Sequence, residues 1–399
     1  MQKITPMKKE PLSSLAAVAF FVLLSLLWRA TADAPPTAQP IGYSSDTARA
    51  RVLEILETGT LDFGGQATQQ PYQRARVEIL QGSYRAQKLT IDYALRQNAD
   101  SLRLQVGQEI LVTVSARPEG GTAAYFTDFV RSPALLWLFL TFVGFSLLIS
   151  GWKGVRSLAS MGISFVVILG FIIPQILAGR DPLWVSIAGS FFLLAVTLYL
   201  VYGWTLKTHA AALGTLLALC ITGALAVLFV NLARLSGFGD ENALFLAQQL
   251  NFNLNLRGLL LGGMLIGALG VLDDLVITQA SVTFEIHAAN PGLPFTALYQ
   301  RAMHVGRDHV AATVNTLVLA YAGAALPLFL LFSLSGQNPV NLLNLEFVSE
   351  EVVSTLVGSL GLMTAVPITT LLASALARGH HRLGKWARYL GPEGESHTH

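Results

Sequence analysis

Two adjacent aspartates, Asp273 and Asp274, lie in the second half of the apolar segment GALGVLDDLVITQAS, residues 267–281. Placing one charged side chain in the hydrocarbon of a bilayer costs roughly 2.5–3.5 kcal/mol even on the mildest scale, so such residues usually serve a function. Burial disfavours the charged form of a carboxyl, and two neighbouring carboxylates repel one another. The pair could therefore hold one proton near neutral pH and exchange it through a water-filled cleft. This pattern predicts a proton relay or cation site; the alternative is a structural pair that holds helices in register.

The helix predicted to carry the pair is rich in glycine. Small residues at four-residue spacing let a second membrane helix approach closely. We therefore expect helix packing against four glycines: Gly262, Gly263, Gly267 and Gly270. Steps of about 3.6 residues from this stripe reach Asp274 and later Glu285. The sequence thus predicts that Asp274 points into a tightly packed bundle, with Asp273 about 100° round the helix towards a neighbouring groove.

Uncharged polar residues occur at matching depth in other apolar segments, and they could surround the carboxylates as one polar layer. Asn315 and Thr316 are the expected partners of the acids, both in a relay and in the structural alternative. The other members of the predicted layer are Thr215, Thr369 and Thr370. Glu285 lies just beyond the apolar segment, where it could extend a proton path or be solvated.

The sequence gives no sign of an enzyme. Intramembrane aspartyl proteases need acids on two different helices, whereas here both acids share one helix. The His-Glu-x-x-His zinc motif is absent, and no Ser/His pair is evident within the apolar segments. His304 and His309 flank Arg307-Asp308, where a structural or topological role is expected. The single cysteine, Cys220, excludes a disulfide within one chain and a cysteine-based metal site. We expect no hydrolytic activity and no cofactor.

Composition places much of the chain in a membrane. Of its 399 residues, 53% are hydrophobic and only 13% are charged, about half the charged share of a soluble protein. The net charge of +2 argues against a nucleic-acid partner. Apolar runs of about 17–25 residues can span a bilayer. We find eight such runs: Leu12–Trp28, Ala134–Ser150, Ser157–Ala178, Pro182–Tyr202, Thr208–Leu232, Gly258–Ala280, Val310–Leu334 and Val352–Ala377.

The distribution of Lys and Arg predicts the orientation. If the N-terminus is cytoplasmic and the runs alternate, most basic residues fall in cytoplasmic segments, while the short outer loops hold only Arg180, Arg234 and Arg257. This arrangement indicates a bacterial inner membrane protein with both termini in the cytoplasm. The first run either stays as a signal-anchor helix or is cleaved as a signal peptide. Either outcome leaves the following domain outside the cytoplasm.

The predicted fold is an α-helical transmembrane bundle of about eight spans, with a small extracytoplasmic all-β domain between the first and second spans. The expected boundaries are a signal-anchor helix in 1–33, a linker in 34–45, the β-domain in 46–131, a seven-helix membrane domain in 132–378 and a basic cytoplasmic tail in 379–399. Period-two stretches separated by turn signals predict five or six short antiparallel strands in the β-domain, as a barrel or a sandwich. Residues 296–309 are expected to form an amphipathic helix on the cytoplasmic surface.

Three segments together resemble the YibE/F-like family of bacterial multi-pass membrane proteins: Gly270–Asp274 with Glu285, His304–His309, and Asn315–Tyr321. The resemblance covers about residues 45–377. A fainter likeness, by analogy only, is to the membrane half of SecD/SecF and resistance-nodulation-division proteins, which implies an intramembrane acid that relays protons. Those proteins have six spans per unit and a large periplasmic insertion, which this chain lacks.

Two functions are therefore considered. The first is a proton-coupled transporter or permease that uses Asp273 and Asp274, with an ion or small solute as its cargo. The second is an accessory membrane factor for protein export, envelope assembly or signalling, whose β-domain docks an extracytoplasmic protein partner. Both imply a lipid bilayer around the helices, and the glycine stripe could equally support a homo-oligomer.

Overall fold

The computed structural model describes residues 46–62, 69–94, 102–116, 122–250, 253–336 and 338–379, together with residues 390 and 392. The chain divides into two units, and the boundary between them falls between Leu148 and Ile149. One unit contains all of the described strands, and the other contains most of the helical residues. The predicted signal-anchor segment and linker, 1–33 and 34–45, lie outside the described residues.

The first unit contains a single antiparallel sheet. Its strands are β1 Asp46–Asp62, β2 Gln69–Ile79, β3 Lys88–Ala94, β4 Glu109–Ala116 and β5 Thr122–Phe129. Their order across the sheet is β3-β2-β1-β4-β5. The prediction of five or six antiparallel strands is thus confirmed for the described part of 46–131. Alternate side chains form its core, among them Val52, Val77 and Val112, each fully buried.

The sheet curls until its two edge strands meet. The rings of Tyr93 on β3 and Phe126 on β5 have centroids only 4.3 Å apart. The long strand β1 has register shifts between Val52 and Glu54 and between Ile55 and Glu57, and such bulges bend a strand. Following the hydrogen bonds and then the edge contact, the cyclic order of strands is 1-2-3-5-4, that of a small, partly open OB-type barrel.

The helices are numbered α1 to α10 along the chain. They are α1 Ser132–Val167, α2 Ile173–Leu177, α3 Pro182–Tyr202, α4 Leu206–Leu232, α5 Glu241–Gln249, α6 Leu256–Ala289, α7 Phe295–Ala324, α8 Leu326–Ser335, α9 Pro339–Leu343 and α10 Glu346–Gly379. A π-helical turn, Ile168–Ile172, joins α1 to α2. Within α1, Gly151 leaves helical geometry at φ 53°, a conformation that suits glycine.

Within the part of the chain that the structure describes, five helical stretches are long and apolar enough to cross a membrane, and a sixth is added if a bent pair counts as one span. The predicted count of eight is not confirmed. The run 12–28 lies outside the described residues, and the runs 134–150 and 157–178 fall within one helical stretch, Ser132–Leu177, interrupted at Gly151.

The bent pair of helices, α7 and α8, differs from the expected surface helix followed by a separate span. The surface helix predicted at 296–309 and the start of the next predicted span form one continuous helix, α7. Residues 295–324 contain no proline, and the helix continues through both of its glycines, Gly306 and Gly323. The chain then turns by 59° into α8, whose second residue is Pro327. A proline is favoured in the first turn of a helix and cannot continue the preceding one.

Helices α4 and α10 pack closely against each other in the second unit. A Cβ atom added to Gly214 on α4 would collide with the Thr369 side chain on α10, and one added to Gly361 on α10 would collide with Thr222 on α4. Gly214 precedes Thr222 along α4, whereas the partner of Gly214, Thr369, follows the partner of Thr222, Gly361, along α10. The two helices are therefore antiparallel. Because Gly214 and Gly361 carry no side chain, the two backbones can approach closely, as they do at small residues in membrane helix pairs.

Candidate functional site

The acidic pair lies near the middle of α6. This helix begins after Asn255, whose side-chain oxygen accepts a hydrogen bond of 2.9 Å from the Gly258 amide. It continues to Ala289, nine residues beyond the predicted end at Ala280. Asp273 is therefore about 26 Å from the first residue of the helix and about 24 Å from the last, at about 1.5 Å per residue. The acids are more central in their helix than the sequence indicated.

Helix α3 runs parallel to α6 and supplies the surroundings of Asp273. Asp181 caps α3, and its carboxylate also accepts a hydrogen bond of 2.7 Å from Asn255, the cap of α6. The two helices therefore start side by side. Because Thr197 is 15 residues into α3 and Asp273 is 17 residues into α6, the two residues reach the same level. The Thr197 hydroxyl lies within hydrogen-bonding reach of the Asp273 carboxyl.

One oxygen of Asp273, Oδ1, is buried and has no hydrogen-bond partner in the described part of the chain. The Thr197 hydroxyl donates to the Leu193 carbonyl of its own helix at 2.8 Å. A hydroxyl has one proton to donate, and it can rotate. Thr197 can therefore keep its helical bond and accept from a protonated Asp273, or turn and donate to the ionised form.

Asp274 faces a different cleft. Its side chain is exposed, and it lines an open cavity together with Thr278 on its own helix and His309 and Thr313 on α7. The empty space in this cavity is about 620 Å³. The prediction that Asp274 points into a tightly packed bundle is therefore wrong: Asp273 is the more enclosed acid, and Asp274 is the one that solvent or a neighbouring molecule can reach.

The structure does not bring Asn315 and Thr316 to the acids. Both side chains are exposed on α7, and neither lines the cavity of Asp274. His309 and Thr313, six and two residues before Asn315, occupy that position instead. The sequence pattern could have indicated this, because Thr313 and His309 are four residues apart and share one face of a helix.

The rest of the predicted polar layer is buried in the bundle. Thr215, Thr369 and Thr370 are fully buried. They lie at the α4–α10 contact and next to Gln279, a buried residue of α6 that the sequence reasoning missed. Its amide donates to the Thr370 hydroxyl at 2.7 Å and to the Ala302 carbonyl at 3.0 Å.

Only one of the four predicted packing glycines is packed. A Cβ atom at Gly262 would lie 2.9 Å from Ser186 Cβ on α3. At Gly263, Gly267 and Gly270 an added Cβ would meet nothing within 4 Å in the described structure. Glu285, further along the same stripe, is also exposed. Helical periodicity placed these residues on one face correctly, but it could not tell whether another helix covers that face.

The described residues contain no group of three or more His, Cys, Asp or Glu side chains that could hold a metal ion. His304 lies with Arg301 and Asn290 around a separate shallow cavity between the end of α6 and the start of α7. At the centre of α6, two carboxyls, one enclosed and one accessible, are groups that can bind a proton or a cation.

Comparison with known proteins identifies the helical part of the chain. The model of the family described as YibE/F-like protein matches residues 138–379, which is more than half of the chain. The match begins after the barrel, so the resemblance is confirmed for the helices and does not extend to the β-domain. No curated protein and no solved structure gives a significant match. With its long apolar helices, the chain is an integral membrane protein that belongs to the YibE/F-like family.

Proposed function

We propose that this YibE/F-like protein carries protons across the bilayer, coupled to an ion or small solute, with Asp273 and Asp274 as the proton-binding groups. One observation supports the proposal most strongly: a buried carboxyl oxygen of Asp273 lacks a hydrogen-bond partner in the described structure, in the middle of a helix apolar enough to span a membrane. A buried unpaired polar atom costs about 1–3 kcal/mol, and more when it is charged. A bound proton or cation would remove this cost.

The different surroundings of the two acids suggest a division of labour. Asp274 exchanges protons with water in the open cavity beside His309 and Thr313. Asp273, enclosed against α3, takes up the proton as a carboxylate, and the O–H of the resulting neutral carboxyl donates a hydrogen bond to the Thr197 hydroxyl. Release reverses these steps, with Thr197 rotating to stabilise the carboxylate. A cycle of this kind needs no metal and no covalent intermediate.

Proton flux in liposomes tests the proposal. The full chain is reconstituted, a pH gradient is imposed, and flux is compared among the wild type, Asp273→Asn and Asp274→Asn. Both variants should fold and lose at least about tenfold in flux, since neither amide can exchange a proton. The matched control is Asp308→Asn, an exposed acid on α7 that lines none of the cavities around α6. Wild-type flux in the two site variants would overturn the proposal.

The strand order of the β-domain favours a second candidate function, an accessory factor for protein export, envelope assembly or signalling. OB-type barrels commonly bind ligands on the face formed by strands 2 and 3. A photo-reactive residue at Thr90, exposed on β3, should then cross-link to one specific partner protein, while the same residue at Tyr125 on β5 should not. Failure of both positions to capture a specific partner would count against this function.

We also propose that the protein lies in a bacterial inner membrane, with both termini cytoplasmic and the barrel outside. The distribution of Lys and Arg supports this orientation. The test uses Ser83→Cys, at an exposed turn of the barrel, in a Cys220→Ser background. A membrane-impermeant maleimide should label it in intact cells with a permeable outer membrane. Labelling only after the inner membrane is broken would contradict this orientation.

A further inference from the structure

A row of three cavities follows the glycine face of α6. The first is lined by Gly263, the second by Gly267 and the third by Gly270 and Asp274. Met264 and Ser354 line both the first and the second cavity, and Val271 lines both the second and the third. Consecutive cavities share wall residues and therefore adjoin one another along α6, with α10 beside the first and second and α7 beside the second and third. We call this row of cavities the groove.

Among the residues that the structure describes, no packing contact requires the glycines along this groove. A side chain at Gly263, Gly267 or Gly270 would meet open space, whereas one at the neighbouring Gly262 would meet Ser186. In a helix interior glycine costs about 1 kcal/mol relative to alanine. The presence of three glycines on one open face of α6 therefore needs another explanation. One explanation is that they keep the floor of the groove free of side chains.

The first cavity, which we call the vestibule, is acidic. Its lining residues include Asp240, Glu350 and Glu351, and none of its lining residues is Lys, Arg or His. Glu350 is only 8% exposed, and its Oε1 accepts a hydrogen bond of 3.3 Å from the Gly239 amide. The vestibule has an empty volume of about 640 Å³.

The loop before α5 holds this acidic wall in place. One turn before Glu350, the Oε1 atom of Glu346 accepts hydrogen bonds of 2.6 Å from both the amide and the hydroxyl of Ser236. Gly237, at φ +85°, lets the loop turn against the start of α6. Glu346 and Glu350 are therefore both held by hydrogen bonds from this loop.

The second cavity is the narrow section. Its empty volume, about 340 Å³, is smaller than that of the other two cavities. Its lining residues include Tyr321, Ser354 and Thr355, each of which carries a hydroxyl group. No charged side chain is among those lining residues. An ion that passes Gly267 would therefore exchange part of its water shell for hydroxyl oxygens before it reaches Asp274.

We propose that this groove is the path by which small cations, hydronium included, travel between the vestibule at Glu350 and the carboxylate of Asp274. The inference rests on the proposed function and adds the route and the sign of the charge that it admits. Clefts lined by one sign of charge concentrate counter-ions and raise their rates of arrival by about tenfold or more. The groove should therefore be wet, cation-selective and blocked by bulk at Gly267.

Cysteine labelling tests the route independently of transport. Gly263→Cys and Gly270→Cys are made in a Cys220→Ser background, in unsealed membrane fragments that contain the full chain. A trimethylammonium methanethiosulfonate and its sulfonate analogue are the cationic and anionic probes. Both cysteines should react, with the cationic probe faster by about tenfold or more. Adding Glu350→Gln should reduce that ratio several-fold at position 263. The control is Leu319→Cys, an exposed apolar position on α7 outside all three cavities, which should react with neither probe.

Flux then tests the narrow section. Gly267→Leu should fold, because its side chain enters open space, and should lower proton flux at least about tenfold while leaving the labelling of Gly263→Cys unchanged. Gly323→Leu, at an exposed glycine of α7 away from the groove, should leave flux unchanged. If neither cysteine reacts with charged probes, or if Gly263→Cys links two copies through a disulfide, the groove is covered by lipid or a second copy and the inference is wrong. Labelling without any dependence of flux on Asp274 would instead overturn the proposed function alone.

Discussion

The side-chain amide of Gln279 on α6 donates a hydrogen bond of 2.7 Å to the hydroxyl of Thr370 on α10, and both residues are fully buried. The same amide donates to the carbonyl of Ala302 on α7 at 3.0 Å. Gly306 leaves room for it, since a Cβ there would lie 2.9 Å from the amide nitrogen. One glutamine therefore ties three helices together, about one and a half turns from the acidic pair.

Replacing this residue should loosen the bundle. Gln279→Leu leaves the Ala302 carbonyl without a side-chain donor in a buried position, which costs about 1–3 kcal/mol. The apparent unfolding temperature of the purified protein in detergent should fall by several degrees. Gln248→Leu, at an exposed position on α5, is the control. Equal unfolding temperatures in the two variants would show that the Gln279 contacts do not stabilise the bundle.

Glycines in the helices should differ sharply in their tolerance of substitution. Gly214→Ala places a Cβ against Thr369 and should destabilise the protein by about 1–3 kcal/mol, a common cost of overpacking. Gly263→Ala meets open space and should be neutral or stabilising by up to about 1 kcal/mol, because alanine is the better helix former. Thermal unfolding of both variants measures the difference, and the reverse order would contradict the packing described for α4 and α10.

The spacing of apolar residues and the composition of the chain were enough to predict much of this fold. Alternation of apolar residues predicted the β-strands, and the 3.6-residue period placed Gly263, Gly267, Gly270 and Asp274 on one face of a helix. The same period could not decide what covers that face. Membrane helices are apolar on lipid-facing and buried sides alike, so a stripe of glycines reads equally as a packed seam or an open groove.

The partners of the acids were the least predictable part of the site. Asn315 and Thr316 match the acids in depth along the helix, but depth does not fix the rotation of α7. The rotation depends on contacts such as Gly306 against Gln279, which join residues far apart in sequence. Thr197 was missed for the same reason, because its level beside Asp273 is set by the hydrogen bond between the helix caps Asp181 and Asn255.

Thr197 should affect proton movement through its hydroxyl. Thr197→Val keeps the shape of the side chain and removes the hydroxyl that can hydrogen-bond to Asp273, so flux should fall about five- to tenfold, the equivalent of one hydrogen bond of about 1 kcal/mol. Thr197→Ser keeps the hydroxyl and should restore most of the flux. The pH dependence of flux is measured for both. A purely structural role predicts instead that both variants leave this pH dependence as in the wild type.

The titration of one side chain in the barrel, Tyr72, can be predicted. The Tyr72 hydroxyl donates a hydrogen bond of 2.5 Å to Glu57, and this bond to a carboxylate raises the pKa of Tyr72 above its ordinary value of 10.0. Because the pKa is higher in the folded state, the stabilisation is present below about pH 10 and is lost as the pH rises through the folded pKa. Carbon-13 NMR of labelled tyrosine in the full chain, assigned with Tyr72→Phe, measures the titration. Glu57→Gln should lower the pKa of Tyr72; an unchanged value would exclude this hydrogen bond as its cause.

The central claim is that carboxyl groups at the middle of α6 take up and release a proton, and infrared difference spectroscopy tests it most directly. The purified protein in lipid is taken through a pH change across neutrality, and the band of protonated carboxyl groups is compared between the wild type and the Asp273→Asn, Asp274→Asn double variant. A band that appears on acidification in the wild type and is missing from the double variant is the predicted result. Identical difference spectra for the two proteins would show that these acids do not exchange a proton.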